Sequence, residues 1–447
     1  MPIQTILEAD EFFASLPDGP DAVADFAAAL PPAGAAAYIP VAGTAGKTAT
    51  ASLTAGILTA AGFCTGLYKA GAGPLSDRIL VDGAPLAPGS AAAGAYLDAA
   101  GNILENTLLN RPAAELAAAC ACFEAAGCRF AVVETGDGAL ASALPAVPAC
   151  AVTHIGPDGS GRSIERLAHD AAAVMRQGTV CVTAPGQPKA ALTEIIVAAG
   201  KADCELVVPE EEDITFPEEG EDARVDYGGY EVPPAFPGYH AACNAAIAVE
   251  LALALWRKGF DIPDEAILSA LAAAQNPSSI RILSQQPLVV LDACRTPQQA
   301  AALLRVLQNA QVRGLSAVVG LETVQGAEAF FSTLESGQPP EPSPKDRSEL
   351  PGMGEGGPIE RLFITVPPGA NPALAQTLAD AARFHFEVEV CPSLPEALDA
   401  ARAASSRGLL VCGSEALALA AGRLLAEGWG LRHPFLKIHR LVPYTLS

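Results

Sequence analysis

Basic residues are scarce in this chain of 447 residues. Lys and Arg number 27 against 50 Asp and Glu, which gives a formal net charge of −23. Because proteins bind a nucleic-acid backbone mainly through positive charge, this composition argues against a nucleic-acid partner. Charged residues of both signs make up only 17% of the chain, and hydrophobic residues make up 50%, many of them alanine. The length allows two or three domains, each with a full core.

Three further absences narrow the class of protein. No uninterrupted apolar run is long enough to span a bilayer, so we predict no transmembrane helix. The N-terminal MPIQTILEADEFFASLPDG lacks the basic and apolar regions of a signal peptide. The eleven cysteines include no CxxC pair, and Cys120 and Cys122 are poorly spaced for a metal site. We therefore expect reduced thiols in a cytoplasmic protein, a monomer without membrane contact.

The segment AAYIPVAGTAGKTAT, at 36–50, reads as a strand, a glycine-bearing loop and a helix. The residues of interest in the loop and at the helix start are Gly43, Thr44, Gly46, Lys47 and Thr48. Glycines let backbone N–H groups surround phosphate oxygens, the lysine neutralises the outer phosphates, and the hydroxyl can bind magnesium. We predict a site for ATP and Mg²⁺. The alternative is a strand–turn–helix corner that merely contains Gly-Lys.

Short apolar segments alternate with alanine-rich segments through the first half of the chain. The β-branched segments 129–136, 146–156 and 179–185 are bounded by Gly or Pro. This alternation predicts an α/β fold with a parallel sheet and helices on both of its faces. An acidic stretch rich in Pro and Gly, 208–235, predicts a surface hairpin or excursion. A helix follows from about Ala241.

A second α/β pattern begins near Leu283 and continues to the C-terminus. It is interrupted at 336–358 by SGQPPEPSPKDRSELPGMGEGGP, which we interpret as a flexible surface spacer. We therefore predict a P-loop parallel-sheet ATPase domain over 1–283 and a smaller Rossmann-like domain over 284–447.

Seven segments, in order along nearly the whole chain, resemble those of the Mur ligase superfamily, and within it folylpolyglutamate synthase/dihydrofolate synthase. Four of them are VAGTAGKTA, similar to VAGTNGKGS; RFAVVETGDG, similar to xxxVLEVGLGG; FPGYHAACNAAIA, similar to LPGxHQxxNAAxA; and LVVLDACRTPQQA, similar to xxxLDGAHNPxxA. The resemblance implies a ligase that phosphorylates a substrate carboxylate with ATP, after which an amine attacks the acyl phosphate. The implied partners are a small-molecule carboxylate, folate-like or other, and an amino acid.

The resemblance also implies residue roles. Lys47 would neutralise the β- and γ-phosphates, and Thr48 would approach magnesium. Glu134 corresponds to a magnesium-binding glutamate, with a solvated residue at a strand end as the alternative. Asn244 corresponds to an adenine-contacting asparagine, with a helix N-cap as the alternative. Asp292 corresponds to an aspartate that reaches the nucleotide from the second domain, so we expect the nucleotide in the cleft between the domains.

Several residues of the family are replaced. An SPH triplet becomes Ala-Gly-Ala at 70–72, and an Asp-His dipeptide becomes Asp158-Gly159, although His154 could substitute or be an ordinary strand-end histidine. Ala171 stands where the family carbamylates a lysine that binds a second magnesium. Ser279 stands where an arginine approaches the γ-phosphate.

Two residue groups complete the set of candidates. Arg295 is gained near Asp292, and we predict that it serves in catalysis together with Lys47. Arg281 lies two residues beyond Ser279 and would point elsewhere. The segment 77–79 matches a family segment near the substrate loop. Its role could be limited to holding that loop in place.

Three functions remain open from the sequence. The first is an ATP-dependent carboxylate–amine ligase with altered substrate and metal sites. The second is a nucleotide-binding paralogue without ligase activity that regulates or binds another protein. The third is a plain P-loop ATPase or kinase, which the resemblance of the second half to a ligase domain disfavours.

Overall fold

The computed structural model of the chain describes residues 3–428 except 20–22, 33, 35, 72, 107–108, 137, 159, 216–224, 233–238, 274–280, 286, 339–356 and 405–406. The chain forms two compact units, the first containing most residues up to 275 and the second those that follow. The domain boundary inferred at 283 stays a prediction. Most of the predicted spacer at 336–358 lies outside the described residues.

The first unit is built on an eight-stranded sheet. Its strands are β1 (Ala37–Ala42), β2 (Thr65–Tyr68), β3 (Ile79–Val81), β4 (Ala84–Pro85), β5 (Phe130–Glu134), β6 (Ala149–Val152), β7 (Val180–Thr183) and β8 (Glu205–Val207). Their order is β4-β3-β2-β5-β1-β6-β7-β8, and only β3 and β4 at one edge run antiparallel to their neighbours. The central strands are buried along their whole length, which explains why they read as continuous apolar runs. The predicted parallel sheet is confirmed.

Helices cover both faces of this sheet. They are α1 (Ile6–Ser15), α2 (Val23–Ala29), α3 (Lys47–Ala60), α4 (Leu75–Arg78), α5 (Ala91–Asn106), α6 (Arg111–Ala125), α7 (Ile164–Ala171), α8 (Lys189–Ala202), α9 (Tyr239–Arg257) and α10 (Asp264–Ala273). Short 3₁₀ segments lie at Leu140–Ala143, Ala172–Val174 and Glu211–Asp213. One core contains side chains of α5, α6, α7 and α8, and the other contains those of α3, α9 and α10.

Helix α9 is the one helix in the described part of the chain that is long and apolar enough to cross a membrane. By contrast, 61% of its most apolar window is buried inside the protein, as in the core helix of a globular domain. A small antiparallel sheet precedes this helix and consists of β9 (Ile214–Thr215), β10 (Val225–Tyr227) and β11 (Tyr230–Val232). The hairpin of β10 and β11 falls within the stretch where the sequence predicts one.

The second unit is a smaller α/β unit with its own six-stranded sheet. Its strands are β12 (Arg281–Gln285), β13 (Leu288–Leu291), β14 (Leu315–Val319), β15 (Ile359–Ile364), β16 (Glu387–Val390) and β17 (Gly408–Cys412). The order is β12-β13-β17-β14-β15-β16, with only β12 antiparallel to its neighbour. The helices are α11 (Pro297–Asn309), α12 (Ala327–Ser336), α13 (Leu374–Ala382), α14 (Leu394–Ala404) and α15 (Glu415–Gly428). This arrangement confirms the predicted Rossmann-like architecture.

Candidate nucleotide site

The loop between β1 and α3 has a backbone shape that requires glycine at two positions. Gly43 and Gly46 have φ angles of +131° and +87°, which other residues adopt at a cost. A Cβ atom on Gly43 would lie 2.3 Å from Oγ1 of Thr153, and one on Gly46 would lie 2.2 Å from Oδ1 of Asn244. The loop is therefore fixed both by its dihedral angles and by close packing against β6 and α9.

Helix α3 presents its N-terminus at the end of this loop. It begins at Lys47, and no side chain caps it. Because the first N–H groups of a helix lack acceptors within the helix, those of the first turn are suited to an anion. The Lys47 ammonium donates a hydrogen bond to the Gly43 carbonyl at 2.8 Å, which places its charge over the loop. The loop therefore offers both oriented dipoles and a cation.

A hydroxyl and a carboxylate meet beside the loop. Oγ1 of Thr48 donates to Glu134, with its two carboxylate oxygens at 3.1 and 3.0 Å. Glu134 ends β5, pairs in register with Val41 of β1, and is only 5% exposed. Its burial excludes the alternative of a solvated strand-end residue. Oxygen atoms of this kind are the ligands that Mg²⁺ prefers.

No group of three or more His, Cys, Asp or Glu side chains within the described ranges could hold a metal ion. A magnesium ion at Thr48 and Glu134 would therefore take its other ligands from water and phosphate oxygens. This is the usual coordination of magnesium in nucleotide sites, where one or two protein oxygens suffice. The oxygen pair thus fits a magnesium ion that arrives with a nucleotide.

His154 shapes the loop through its backbone, a role that the sequence analysis missed. Its carbonyl accepts the N–H groups of Thr44 and Ala45, each at 3.1 Å, and the Thr44 hydroxyl at 3.1 Å. The same hydroxyl accepts the N–H of Gly156 at 2.7 Å. The His154 ring lies 6.3 Å from the ring of His240, measured between centroids. A backbone acceptor more than a hundred residues from the loop leaves no signal in a motif.

Asn244 lies against the loop from α9. It is the sixth residue of that helix, which excludes the alternative of an N-terminal cap. The space above Gly46 that a Cβ would occupy is closed by the Asn244 amide. The adenine contact inferred for Asn244 stays a prediction.

Asp292 and Arg295 belong to the second unit and follow β13. Asp292 is 8% exposed, and its Oδ1 accepts the N–H of Cys294 at 2.7 Å. Burial raises the pKa of Asp292 to about 7, because it outweighs the opposing effect of that hydrogen bond. Arg295 is exposed, and its guanidinium forms no hydrogen bond with any residue that the structure describes. Their roles toward a nucleotide stay predictions.

The positions at which the sequence departs from the family pattern differ in burial and in hydrogen bonding. Ala171 ends α7, is 2% exposed, and its carbonyl would lie 3.0 Å from a Cβ on Gly138, four residues beyond Glu134. Asp158 accepts hydrogen bonds from Ser160 and Arg162. Burial alone would raise the pKa of Asp158, but these bonds outweigh it and lower the pKa. Ala72, Gly159 and Ser279 lie outside the described residues, as does the side chain of Arg281.

Arg78 supports the loop that follows β2. Its guanidinium pairs with both carboxylate oxygens of Glu115 at 2.9 and 2.6 Å, and both side chains are 9% exposed. It also donates to the carbonyls of Lys69 and Gly73, at 3.1 and 3.3 Å. Burial disfavours the charged guanidinium, but Glu115 outweighs this and raises the pKa of Arg78. These contacts are those of a residue that holds a loop, the role left open for 77–79.

Known proteins resemble this chain in sequence. No protein-family model matches it. A probable bifunctional folylpolyglutamate synthase/dihydropteroate synthase of Haloferax volcanii is 29% identical over 310 residues, which is 63% of this chain and 35% of the relative. Its counterpart in Halobacterium salinarum is 28% identical over 324 residues, 68% of this chain and 39% of the relative. The chain therefore matches between a third and two fifths of the length of these relatives.

Solved structures resemble the chain over almost its whole length. Mycobacterium tuberculosis folylpolyglutamate synthase complexed with ADP has a TM-score of 0.76 at 20% identity and covers 96% of this chain and 99% of its own. E. coli FolC in complex with DHPP and ADP gives 0.76 at 21% identity, with the same coverage. A bifunctional folylpolyglutamate synthase/dihydrofolate synthase with Mn, AMPPNP and L-glutamate bound has a TM-score of 0.71 at 21% identity and covers 95% of this chain and 99% of its own.

The solved structures share the fold of this chain, a parallel-sheet α/β unit followed by a smaller Rossmann-like unit. The chain resembles folylpolyglutamate synthases in fold over both units and in sequence over about two thirds of its length. The predicted resemblance is confirmed.

Proposed function

We propose that the chain is an ATP-dependent ligase that joins a carboxylate to the amine of an amino acid through an acyl phosphate. The observation that carries this proposal is the loop at 43–48, where Lys47, the uncapped start of α3 and the Thr48–Glu134 pair converge on one edge of the sheet. The similarity of both units to ligases supports it, because a plain P-loop ATPase has no need of the second unit.

Each residue of the loop has a task in this reaction. The backbone N–H groups at the start of α3 and the Lys47 ammonium would bind the β- and γ-phosphates. Thr48 and Glu134 would hold Mg²⁺, which offsets the negative charge that develops on phosphoryl transfer. A carboxylate oxygen of the acid attacks the terminal phosphorus, and ADP leaves. The amine nitrogen then attacks the acyl carbon, loses a proton, and phosphate leaves.

The substrate and metal sites would differ from those of the relatives. Ala171 is an apolar core residue, so α7 supplies no charged ligand for a second metal at that position. Ala-Gly-Ala at 70–72 leaves no side chain that could bind a metal or a pterin. Removal of one charge-stabilising group commonly slows such a reaction by about a hundredfold or more. We therefore expect slow turnover, and poor turnover with folates. The acid would be folate-like or another carboxylate.

The buried Ala171 favours one second candidate, a paralogue that binds Mg·ATP but does not ligate. In this case the loop at 43–48 would serve regulation or partner binding. Both candidates need the nucleotide, so binding alone does not separate them.

Release of ADP in the presence of acids and amines separates the candidates. Dihydropteroate, tetrahydrofolate and a panel of other carboxylic acids would be combined with glutamate and other amino acids, beside a complete folylpolyglutamate synthase as the reference. We expect ADP release that needs both an acid and an amine, slower with folates than in the reference, and absent in Lys47→Ala. Release without any acid would indicate an ATPase, and binding without release would indicate the paralogue. Turnover of folates equal to that of the reference would refute the altered site.

A further inference from the structure

Lys69 lies in the same row of the sheet as the candidate magnesium ligand. Strand β2 pairs in register with β5, Leu67 opposite Val132 and Tyr68 opposite Val133, so the next position places Lys69 opposite Glu134. The N–H of Lys69 donates to the Arg78 carbonyl at 2.9 Å, which continues the strand pairing with β3 by one residue. The extended backbone therefore persists to Lys69.

The alternation of side chains indicates which face Lys69 occupies. Paired residues of parallel strands point to the same face, and successive residues alternate. Leu67 and Val132 pack in the core that contains α3, whereas Tyr68 and Val133 pack in the opposite core. Lys69 therefore leaves the sheet on the α3 face, as does Glu134, which binds Thr48 there. Neighbouring strands are about 4.8 Å apart, within the reach of a lysine side chain.

A buried ion pair fixes the backbone of Lys69. Its carbonyl accepts from Arg78, and Glu115 accepts two hydrogen bonds from the same guanidinium. The Tyr68 hydroxyl donates to Glu115 at 3.0 Å and ties the preceding residue to the same group. Charge-assisted bidentate pairs are strong and directional, so the position of the Lys69 backbone is set before any ligand arrives.

The layout of the unit indicates which end of a nucleotide Lys69 would meet. Asn244 contacts the loop from α9, which packs on β6 and β7, and Lys69 follows β2 on the other side of β1 and β5. A nucleotide on the loop with its base toward α9 would extend its phosphates toward β5 and β2. Its terminal phosphate would then be the group that is nearest to Lys69.

We propose that Lys69 is a second cationic group of the phosphate site and binds the terminal phosphate of a nucleoside triphosphate. This inference depends on the proposed binding of Mg·ATP to the loop at 43–48 and on the predicted contact of Asn244 with the adenine. Lys69 thereby supplies a fixed positive charge at the carboxyl ends of the strands, where Ala171 provides no charged group. It distinguishes a triphosphate from a diphosphate, because only the triphosphate extends to β2.

The test is the ratio of the affinities for Mg·ATP and Mg·ADP, measured by isothermal titration calorimetry. The variants are Lys69→Ala, Lys69→Arg and, as a matched control, Lys201→Ala, which removes an exposed lysine at the end of α8. We expect Lys69→Ala to bind Mg·ATP about tenfold more weakly and Mg·ADP almost unchanged, as for loss of one charged hydrogen bond. Lys69→Arg should recover most of the loss, and Lys201→Ala should match the wild type.

Three outcomes overturn the inference. If Lys69→Ala binds both nucleotides as tightly as the wild type, Lys69 has no role in nucleotide binding. If Lys69→Ala weakens the binding of both nucleotides equally, Lys69 acts on the fold of the loop and not on the terminal phosphate. In both of these cases the proposed function stands. If the wild type binds neither nucleotide, both proposals fail together.

Discussion

Single residues decide whether this chain retains a working phosphate site. Thr48 and Glu134 bring three oxygen atoms together at hydrogen-bonding distance, and Lys47 holds its charge over the loop. The sequence predicted these residues because a strand, a loop and a helix are local features. It did not predict that the His154 carbonyl shapes the loop or that Glu115 balances Arg78, since both depend on contacts between distant segments.

Restoring the charged residues at 171 and 279 distinguishes two kinds of site. In one, the ligase is active because another residue, Arg295, supplies the missing charge; in the other, the ligase has lost activity because the charge is missing. In the first case, Arg295→Ala should abolish ADP release. Ala171→Lys with Ser279→Arg should then change little or do harm, because Ala171 lies in a packed core. The measurement is ADP release by the wild type, Arg295→Ala, the single variants Ala171→Lys and Ser279→Arg, and the double restoration. A more than additive gain from the two restored residues would instead indicate a degraded ligase.

We expect Asp292 to make the stability of the second unit depend on pH. Its pKa in the folded protein, about 7, lies above its ordinary value, so folding favours the protonated carboxyl. The resulting gain in the free energy of unfolding is complete below about pH 4 and is lost as the pH rises toward 7. Asp292→Asn keeps an acceptor for the Cys294 N–H and carries no charge. We expect it to stabilise the protein by on the order of 2 kcal/mol more at pH 8 than at pH 5.

Thermal unfolding at the two pH values checks this expectation. Asp399→Asn is the matched control, because Asp399 is an exposed aspartate on α14 of the same unit. Its unfolding temperature should change little at either pH. An equal gain from Asp292→Asn at pH 5 and pH 8 would show that burial does not perturb this carboxyl.

Among the secondary-structure elements, the order of the central strands and helices was predictable. The strands at one edge of the first sheet and the first two helices were not. The central strands β5, β6 and β7 are short apolar runs, and each lies within a segment that the sequence predicted as a strand. The antiparallel strands β3 and β4 were missed, although Asp82-Gly83 between them is a typical hairpin turn with both φ angles positive. Helices α1 and α2 also went unpredicted, because short helices depend on packing more than on local preference.

The Arg78–Glu115 pair ties α4 to α6, and its removal should be costly. Glu115→Ala leaves a buried guanidinium without its counter-charge, so we expect a loss of about 3 kcal/mol in the free energy of unfolding. The double variant Arg78→Met with Glu115→Leu should lose less than Glu115→Leu alone, because no unpaired charge remains.

Denaturant unfolding measures the free energies of unfolding of these variants, and a variant of an exposed ion pair serves as the control. Arg111 and Asp18 lie 2.8 Å apart, with side chains 38% and 69% exposed. Asp18→Ala should cost less than about 1 kcal/mol, as is usual for ion pairs at the surface. Equal losses from Asp18→Ala and Glu115→Ala would show that burial adds nothing to the pair that holds the Lys69 loop.

The molecule as a whole consists of two α/β units with the fold of folylpolyglutamate synthases. The fold was predictable because seven segments resemble those of known ligases in the same order, and the solved structures match both units. The sequence predicts activity less well than fold, because the proposed reaction would depend on a few charged groups at the carboxyl ends of the strands in the first sheet. The proposed function requires that the loop at 43–48 binds Mg·ATP.

The most direct test of that claim is the thermal unfolding of the wild type and of Lys47→Ala with and without millimolar Mg·ATP. A ligand that binds only the folded state stabilises it by about 2.7 kcal/mol when present at a hundred times its dissociation constant. We predict that Mg·ATP raises the unfolding temperature of the wild type by several degrees and leaves that of Lys47→Ala unchanged. No shift in the wild type, or equal shifts in both proteins, would contradict the account.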